Sequence, residues 1–218
     1  MKAKHLASYD IRKIKVLQRD FRPQRALDLM PPEPLAYLKN FQQCIEKSER
    51  QIEAELQHKV TPTPYWDPKL KHSLKARLEL YRALFSKGLL SFRHRTKSKI
   101  GLFFVKKKDG MIRLVVDARC PSECHHTPPK ARLATPACCA DIDLSAASLE
   151  ANGFGEVAGV DVTMSGAEGD VGDCFHNFCV EELASWFSVD EWKTIAEWED
   201  LGFPVGKKLM TRAAITSI

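Results

Sequence analysis

The sequence predicts an α+β fold, and three observations carry that reading. Apolar residues recur at helical spacing over 35–58 and again over 67–88, whereas 102–116 switches to β-branched and aromatic runs around an Asp-Gly pair. The composition, 44% hydrophobic and 28% charged, is that of a chain able to bury a core, which excludes a wholly disordered or fibrous protein. Its 218 residues suit one ordinary domain, or one and a fragment.

Residues 1–32 alternate basic and apolar positions and end in Pro31, Pro32 and Pro34, so they read as a loosely attached arm. From 35 to 58, Leu38, Phe41, Ile45, Ile52 and Leu56 recur at steps of three, four and seven with no Gly or Pro between them, which predicts one amphipathic helix. Thr61, Pro62, Thr63 and Pro64 break it. Asp67 and Pro68 then supply an N-cap and a first-turn proline for a second helix, which buries Leu70, Leu74, Leu78, Tyr81 and Leu84 and stops near Gly88. Asp109-Gly110 between the apolar runs 102–105 and 112–116 fits the tight turn of a β-hairpin. Prolines and glycines dominate 120–172 and predict long connections around short elements such as 146–150. Beyond them, 175–180 reads as extended and 181–187 as a helical turn. Ser188 and Glu191 form a capping box for a helix carrying Trp192, Ile195 and Trp198, which Gly202 and Pro204 end. The chain thus divides into an arm and helix (1–66), a segment with a basic hairpin (67–130) and an acidic segment (131–218).

The net charge of +5 conceals an asymmetry: residues 1–130 hold 28 Lys and Arg against 13 Asp and Glu, and residues 131–218 hold 5 against 15. A basic half suits a polyphosphate partner, an acidic half metal binding or plain solvation. No apolar run reaches the roughly 18 residues of a membrane span, and the basic N-terminus lacks an apolar signal core, so an intracellular protein in nucleus or cytoplasm is expected. Seven cysteines at irregular spacing read as reduced thiols.

Between 93 and 108 stand Arg93, Arg95, Lys97, Lys99, Lys106, Lys107 and Lys108 with no acidic residue, the pattern of a sequence-independent grip on a phosphate backbone or of a solvated strand edge. In 169–178, Asp170 and Asp173 lie beside Gly169 and Gly172, where they could hold a hard cation such as magnesium or form an acidic turn. Cys120, Cys124, His125 and the downstream Cys138 have the donor types of a zinc site, but not the spacing of a familiar finger, so free thiols are the simpler reading. Cys174 and His176 lack the orienting third group of a thiol enzyme, Gly153-x-Gly155 is no dinucleotide fingerprint, and the tryptophans at helical spacing read as core.

The order of these features resembles the start of a reverse transcriptase, more narrowly the polymerases of long-terminal-repeat retroelements and retroviruses. The residues that carry the resemblance are the helix ending in Lys87-Gly88-Leu89-Leu90, the run 104–119 (Phe-Val-Lys-Lys-Lys-Asp-Gly-Met-Ile-Arg-Leu-Val-Val-Asp-Ala-Arg) and Asp170-Val171-Gly172-Asp173-Cys174-Phe175-His176-Asn177. The hairpin looks like the fingers and the Asp170 segment like the first catalytic motif of the palm. The resemblance implies a partial polymerase right hand, RNA template and DNA primer as partners, deoxynucleoside triphosphates as substrates and magnesium as cofactor. Asp170 would be the catalytic carboxylate that ligates both metals, with the Val171 carbonyl assisting at one. Lys107, its register open by one residue, and Arg113 would clamp the triphosphate. The backbone amides of Asp173, Cys174 and Phe175 would face the phosphates, with the Phe175 ring excluding a 2′-hydroxyl. Arg119 and the basic residues of 93–108 would hold nucleic acid.

The chain departs from the family pattern in three places. No aromatic-x-Asp-Asp turn follows Asp170, Ala167-Glu168-Gly169 replaces the apolar strand that usually leads into the first aspartate, and the connection from Arg119 to Asp170 is long and rich in glycine and proline. The expected function is therefore a truncated reverse-transcriptase-like protein, inactive by itself. The alternative is a non-enzymatic nucleic-acid-binding remnant working through 93–108. Absent palm strands would leave apolar surface and tryptophans exposed.

Overall fold

A buried stretch of N-terminal chain organises the described core of this mixed α and β protein. In the computed structural model the described residues are 5–18, 23–57, 59–127, 143–153, 176–204 and 212–217, with the backbone alone at 190 and 212–217. Two compact units are present, one made of 1–127 with 173–218 and the other of 128–172. In the second unit the helix expected near 146–150 is seen at Ala146–Ala151, where the Ser145 hydroxyl accepts the Ser148 N–H as N-cap.

The first unit opens with strand β1 (Leu6–Ala7), followed by 3₁₀ turns at Ile11–Lys13 and Lys15–Gln18, strand β2 (Gln24–Arg25) and a third turn at Ala26–Asp28. Helices α1 (Pro32–Lys39), α2 (Phe41–Cys44), α3 (Glu49–Leu56), α4 (Pro68–His72) and α5 (Leu74–Ser86) follow, and then strands β3 (Leu90–Arg93), β4 (Gly101–Lys106) and β5 (Ile112–Asp117). Helix α6 (Arg119–Glu123) closes this half. With the helix of the second unit counted as α7, the chain returns as β6 (Phe178–Cys179), a 3₁₀ segment at Glu181–Trp186, β7 (Ser188–Thr194), α8 (Ile195–Asp200) and β8 (Arg212–Ser217). The strands pair in three small sheets: β1-β4-β5 and β3-β8-β7 are antiparallel, and β2-β6 is parallel. No helix among the described residues is long and apolar enough to cross a membrane.

The N-terminal segment is not a loose arm. Tyr9, Ile14 and Val16 are buried in the main core, β1 adds to the edge of β4 through Leu6 opposite Val105, and Ile14 bridges to Ile112. Its anchor is Asp67, whose buried carboxylate accepts the backbone N–H of Tyr9 at 3.2 Å, of Lys69 at 2.9 Å and of Leu70 at 3.2 Å. The residue thus acts as the N-cap of α4 and as the acceptor for a donor that burial would otherwise strand. The Tyr9 hydroxyl donates to Glu79 on α5 at 2.7 Å.

The helix expected over 35–58 is three helices. The Asn40 side chain donates to the Ala36 carbonyl, and 45–47 leave helical geometry to pair with 124–126, with Lys47 N–H on the Cys124 carbonyl and His126 N–H on the Ile45 carbonyl. Ser48 and Gln51 then form a full capping box that starts α3. Over 67–88 the expected single helix breaks at Ser73, which is extended and caps α5 through the Ala76 N–H. The change in phase turns Leu74 outward and brings Ala76 and Leu80 inward beside Leu78, Tyr81 and Leu84. Ser188 begins strand β7 instead of a helix, and the capping box belongs to Thr194 and Glu197. The tryptophans are not exposed: Trp198 is fully buried and Trp186 nearly so. Phe92, Trp198 and Phe203 meet edge to face, with centroids 5.3 to 5.7 Å apart, and join β3 to α8 in one aromatic cluster. A bidentate pair between Arg77 and Glu191, at 2.9 and 3.1 Å, fastens α5 to β7.

Replacing Asp67 removes a helix cap and leaves the Tyr9 amide without an acceptor. Asp67→Ala should cost about 2 to 4 kcal/mol. The expected result is a lower urea midpoint together with faster tryptic cleavage after Lys13 and Lys15, and wild-type values of both would refute the anchoring role.

Candidate nucleic-acid interface

The expected β-hairpin is present, and its register decides which cations share a face. Strand β4 pairs with β5 from Gly101 opposite Asp117 to Lys106 opposite Ile112. The ladder is prolonged by Lys107 N–H on the Met111 carbonyl at 2.9 Å, and the Gly110 N–H returns to the Lys107 carbonyl at 3.3 Å. Gly110 adopts φ +76°, the left-handed residue that closes such a loop. Asp109 fixes the tip by accepting the Met111 N–H at 3.1 Å and Lys15 Nζ at 3.4 Å. The Met111 amide, ahead of Lys15, holds its carboxyl below the usual carboxylate range.

Because side chains alternate along a strand, Leu102, Phe104, Ile112 and Leu114 form the core face, while Val105, Lys107 and Arg113 belong to the other. Lys107 and Arg113, 6 residues apart in sequence, are therefore brought onto one face, with Arg113 exposed to solvent. Lys106 and Lys108 are also exposed at this end.

The contiguous basic run does not make one patch. The six residues of β4, spanning roughly 17 Å, put Lys99 and Lys106 at opposite ends of the strand. Arg93 lies in β3, half-buried, and Arg95 is exposed in the following loop. Lys97 is bound to both oxygens of Glu46, at 2.9 and 2.7 Å, and lies 5.0 Å from the centroid of Trp186, whose indole N–H donates to the same carboxylate at 2.6 Å. Lys99 takes part in a backbone bridge to Ser188.

At the Lys99 end of β4 is a cleft of about 670 Å³ lined by Leu6, Tyr65, Phe103, Asp117, Arg119 and Ser122. Sequence reasoning singled out Arg119 but missed Tyr65 and Leu6, which come from distant segments without a motif. Asp117 is nearly buried, accepts the Tyr65 N–H at 2.7 Å, and is gripped by Arg119 through Nε at 2.8 Å and an Nη at 2.6 Å. A side chain at Gly101 would meet the Tyr65 carbonyl, so the close approach of 65–67 to β4 needs glycine there. Arg119 donates also to the Thr63 carbonyl and is 60% exposed, which leaves part of its guanidinium open to a ligand.

Asp170, Val171, Asp173, Cys174 and Phe175 lie outside the described residues. Just after them the chain is tied to the N-terminal half: the Asn177 carbonyl accepts the Gln24 N–H at 2.8 Å and β6 pairs with β2. Among the described residues no three His, Cys, Asp or Glu side chains converge as a metal site. The Cys120 thiol donates to the Pro62 carbonyl and the Cys124 thiol to the Cys120 carbonyl, His125 Nδ1 contacts the Pro121 carbonyl, and Cys138 lies outside the described residues. Burial raises the Cys120 and Cys124 thiol pKa values, which keeps these groups protonated.

Comparison of the chain with protein-family models, with curated proteins and with solved structures finds no match.

The Asp117 carboxyl is lowered to about 2, chiefly by the Arg119 guanidinium and then by the Tyr65 amide. As pH falls below about 4 the unfolded chain takes up a proton that the folded chain refuses. About 2 kcal/mol of stability, fully present above pH 4, is thus lost as pH falls toward 2. Urea midpoints measured from pH 5 to 2 should decline less steeply in Asp117→Asn than in the wild type, and parallel curves would exclude this carboxylate as the cause.

Proposed function

We propose that this chain is a reverse-transcriptase-like protein, similar to the fingers and first palm motif of retroelement and retroviral RNA-directed DNA polymerases. Its β4–β5 hairpin grips the phosphates of nucleic acid and of a deoxynucleoside triphosphate. The observation that supports this reading is the hairpin register, which sets a planar guanidinium, Arg113, and a compact ammonium, Lys107, on one face. Such a pair suits a polyphosphate, the fork binding two oxygens and the lysine acting as a point charge. In the same proposal Asp170 and the Val171 carbonyl hold magnesium, the amides of Asp173, Cys174 and Phe175 face the triphosphate, and the Phe175 ring lies under a deoxyribose. RNA template and DNA primer are the partners, held by Arg119 and the exposed cations of 93–108, and the setting is intracellular. Two-metal transfer to a primer 3′-hydroxyl needs further carboxylates. No adjacent aspartate pair follows Asp170 within these 218 residues, so polymerisation by this chain alone is not expected.

A second reading, a non-enzymatic nucleic-acid-binding protein working through 93–108, is favoured by the charge excess of residues 1–130, where 28 basic residues stand against 13 acidic ones. The two readings share binding and part over chemistry. Purified protein should bind single-stranded nucleic acid with an affinity that falls steeply with salt, and charge reversal at Lys106, Lys107 and Lys108 should weaken it by about tenfold or more. Affinity indifferent to salt would remove both readings. Primer extension with magnesium and deoxynucleoside triphosphates should give no product, and incorporation abolished by Asp170→Asn would overturn the expected inactivity while strengthening the polymerase kinship.

A further inference from the structure

The N-terminal segment links the hairpin tip to a second basic surface. Ile11 forms one wall of a shallow groove of about 740 Å³ over α4 and α5, whose floor includes the small residues Ala76 and Ala83 and whose cations are Lys69, Lys75 and Arg82. From Ile11 the chain runs through exposed Lys13 to Ile14, bridged to Ile112 at the start of β5, and then to Lys15, whose ammonium reaches Asp109 at the hairpin tip.

Two of the groove's cations are held without a carboxylate partner among the described residues. Several basic side chains elsewhere are matched with carboxylates: Arg25 with Glu182, Lys47 with Glu55, Arg77 with Glu191, Lys97 with Glu46 and Arg119 with Asp117. In the groove Lys69 and Arg82 are oriented by neutral groups. Lys69 donates to the Tyr9 carbonyl at 3.3 Å and lies 5.2 Å from the centroid of the Tyr9 ring. Arg82 donates twice to the Leu201 carbonyl, at 2.9 and 3.2 Å, and packs over the Phe203 ring at 5.8 Å. These contacts fix the side chains without cancelling their charge, which preorganises them for an anion. Lys75 is exposed and donates no hydrogen bond among the described residues. One carboxylate, Glu79, also lines the groove, and it accepts the Tyr9 hydroxyl. Three positive charges against one negative, with Lys75 and Arg82 seven residues apart on α5 and so about 10 Å along its axis, suit a chain of phosphodiesters better than one compact anion.

We infer that the groove over α4 and α5 is a second nucleic-acid site, and that a single strand runs from it along residues 11–15 to the hairpin tip. This deepens the nucleic-acid-binding reading and rests on it. The strand's phosphates lie against Lys69, Lys75 and Arg82 at one end, Lys13 in the middle and the tip lysines at the other.

The test uses the full chain, fluorescent single strands of about 24 and about 6 nucleotides, and a salt series. Lys13→Glu/Lys75→Glu should weaken the long strand by about tenfold and lower its salt slope by about 1.4, the share of two phosphate contacts, while the short strand, held at the hairpin, changes little. Lys39→Glu/Arg50→Glu, the same charge change on α1 and α3, should leave both affinities near wild type. Unchanged circular dichroism and urea midpoints establish that each variant folds. If charge reversal at the hairpin weakens both strands and Lys13→Glu/Lys75→Glu weakens neither, the second site is wrong and the nucleic-acid-binding reading survives. If the wild type binds neither strand, both fall. Loss of binding to vesicles of anionic phospholipid in the Lys13→Glu/Lys75→Glu variant, with strand affinity intact, would assign the groove to a lipid surface and overturn the inference.

Discussion

Burial of the Asp67 carboxylate is the constraint on which the described core turns. A carboxylate with almost no solvent exposure must be satisfied by donors, and here it has three backbone N–H groups, one from the N-terminal segment and two from the first turn of α4. Its own N–H donates to the Leu102 carbonyl of β4 at 2.8 Å. One residue therefore fixes where the N-terminal segment, the α4–α5 pair and the hairpin sheet meet. Ile14 and Val16 are consequently held in the apolar core they share with Leu70, Tyr81, Phe104 and Ile112.

The two surfaces with a chemical reading follow from that junction. On one side, residues 65–67 lie along β4 between Asp67 and Asp117, with Gly101 giving the backbone room, and this strap forms the wall of the cleft that holds Arg119. On the other side, the N-terminal segment meets α5 through Tyr9 and Glu79 and makes the wall of the basic groove. The positive charge of residues 1–130 is thereby divided. Part of it is neutralised in ion pairs that hold elements together, as Arg77 and Lys97 do, and part is oriented by carbonyls and aromatic rings and stays available to an anion. Net charge alone cannot make that distinction, since exposed pairs contribute little to stability while removing charge from the surface field.

Much of the fold was legible where local chemistry is unambiguous. The Asp-Gly turn between two apolar runs gave the hairpin, Asp67-Pro68 the start of α4, and Gly88 and Gly202 the ends of α5 and α8. Other elements were decided by distant partners. Ser188-x-x-Glu191 and Thr194-x-x-Glu197 are equivalent capping signals, and the first fails because Arg77, 114 residues earlier, holds Glu191 while Ser188 enters a strand. The breaks at Asn40 and Ser73 interrupt apolar periodicities that look continuous, because spacing reports which face is buried and not whether the helix axis persists. Tyr9, Ile14 and Val16 stand among alternating basic residues that read as a solvated arm, so only the tertiary core reveals their burial. At the candidate site, Lys107 and Arg113 could be placed from hairpin register, but the splitting of the basic run along β4 and the partnership of Tyr65 with Asp117 depend on contacts no local pattern encodes.

The cleft and the groove, lined by Leu6 and Ile11, both require the N-terminal segment to be part of the folded core. Amide hydrogen exchange of the full chain, read by mass spectrometry over residues 8–18 and over β4 and β5, measures this without any substitution. Slow exchange of the Tyr9 and Leu17 amides, within about tenfold of the hairpin's own, is the predicted result. Exchange of 8–18 at the rate of an unprotected peptide, with β4 and β5 still protected, would contradict it and remove the wall on which the basic groove depends.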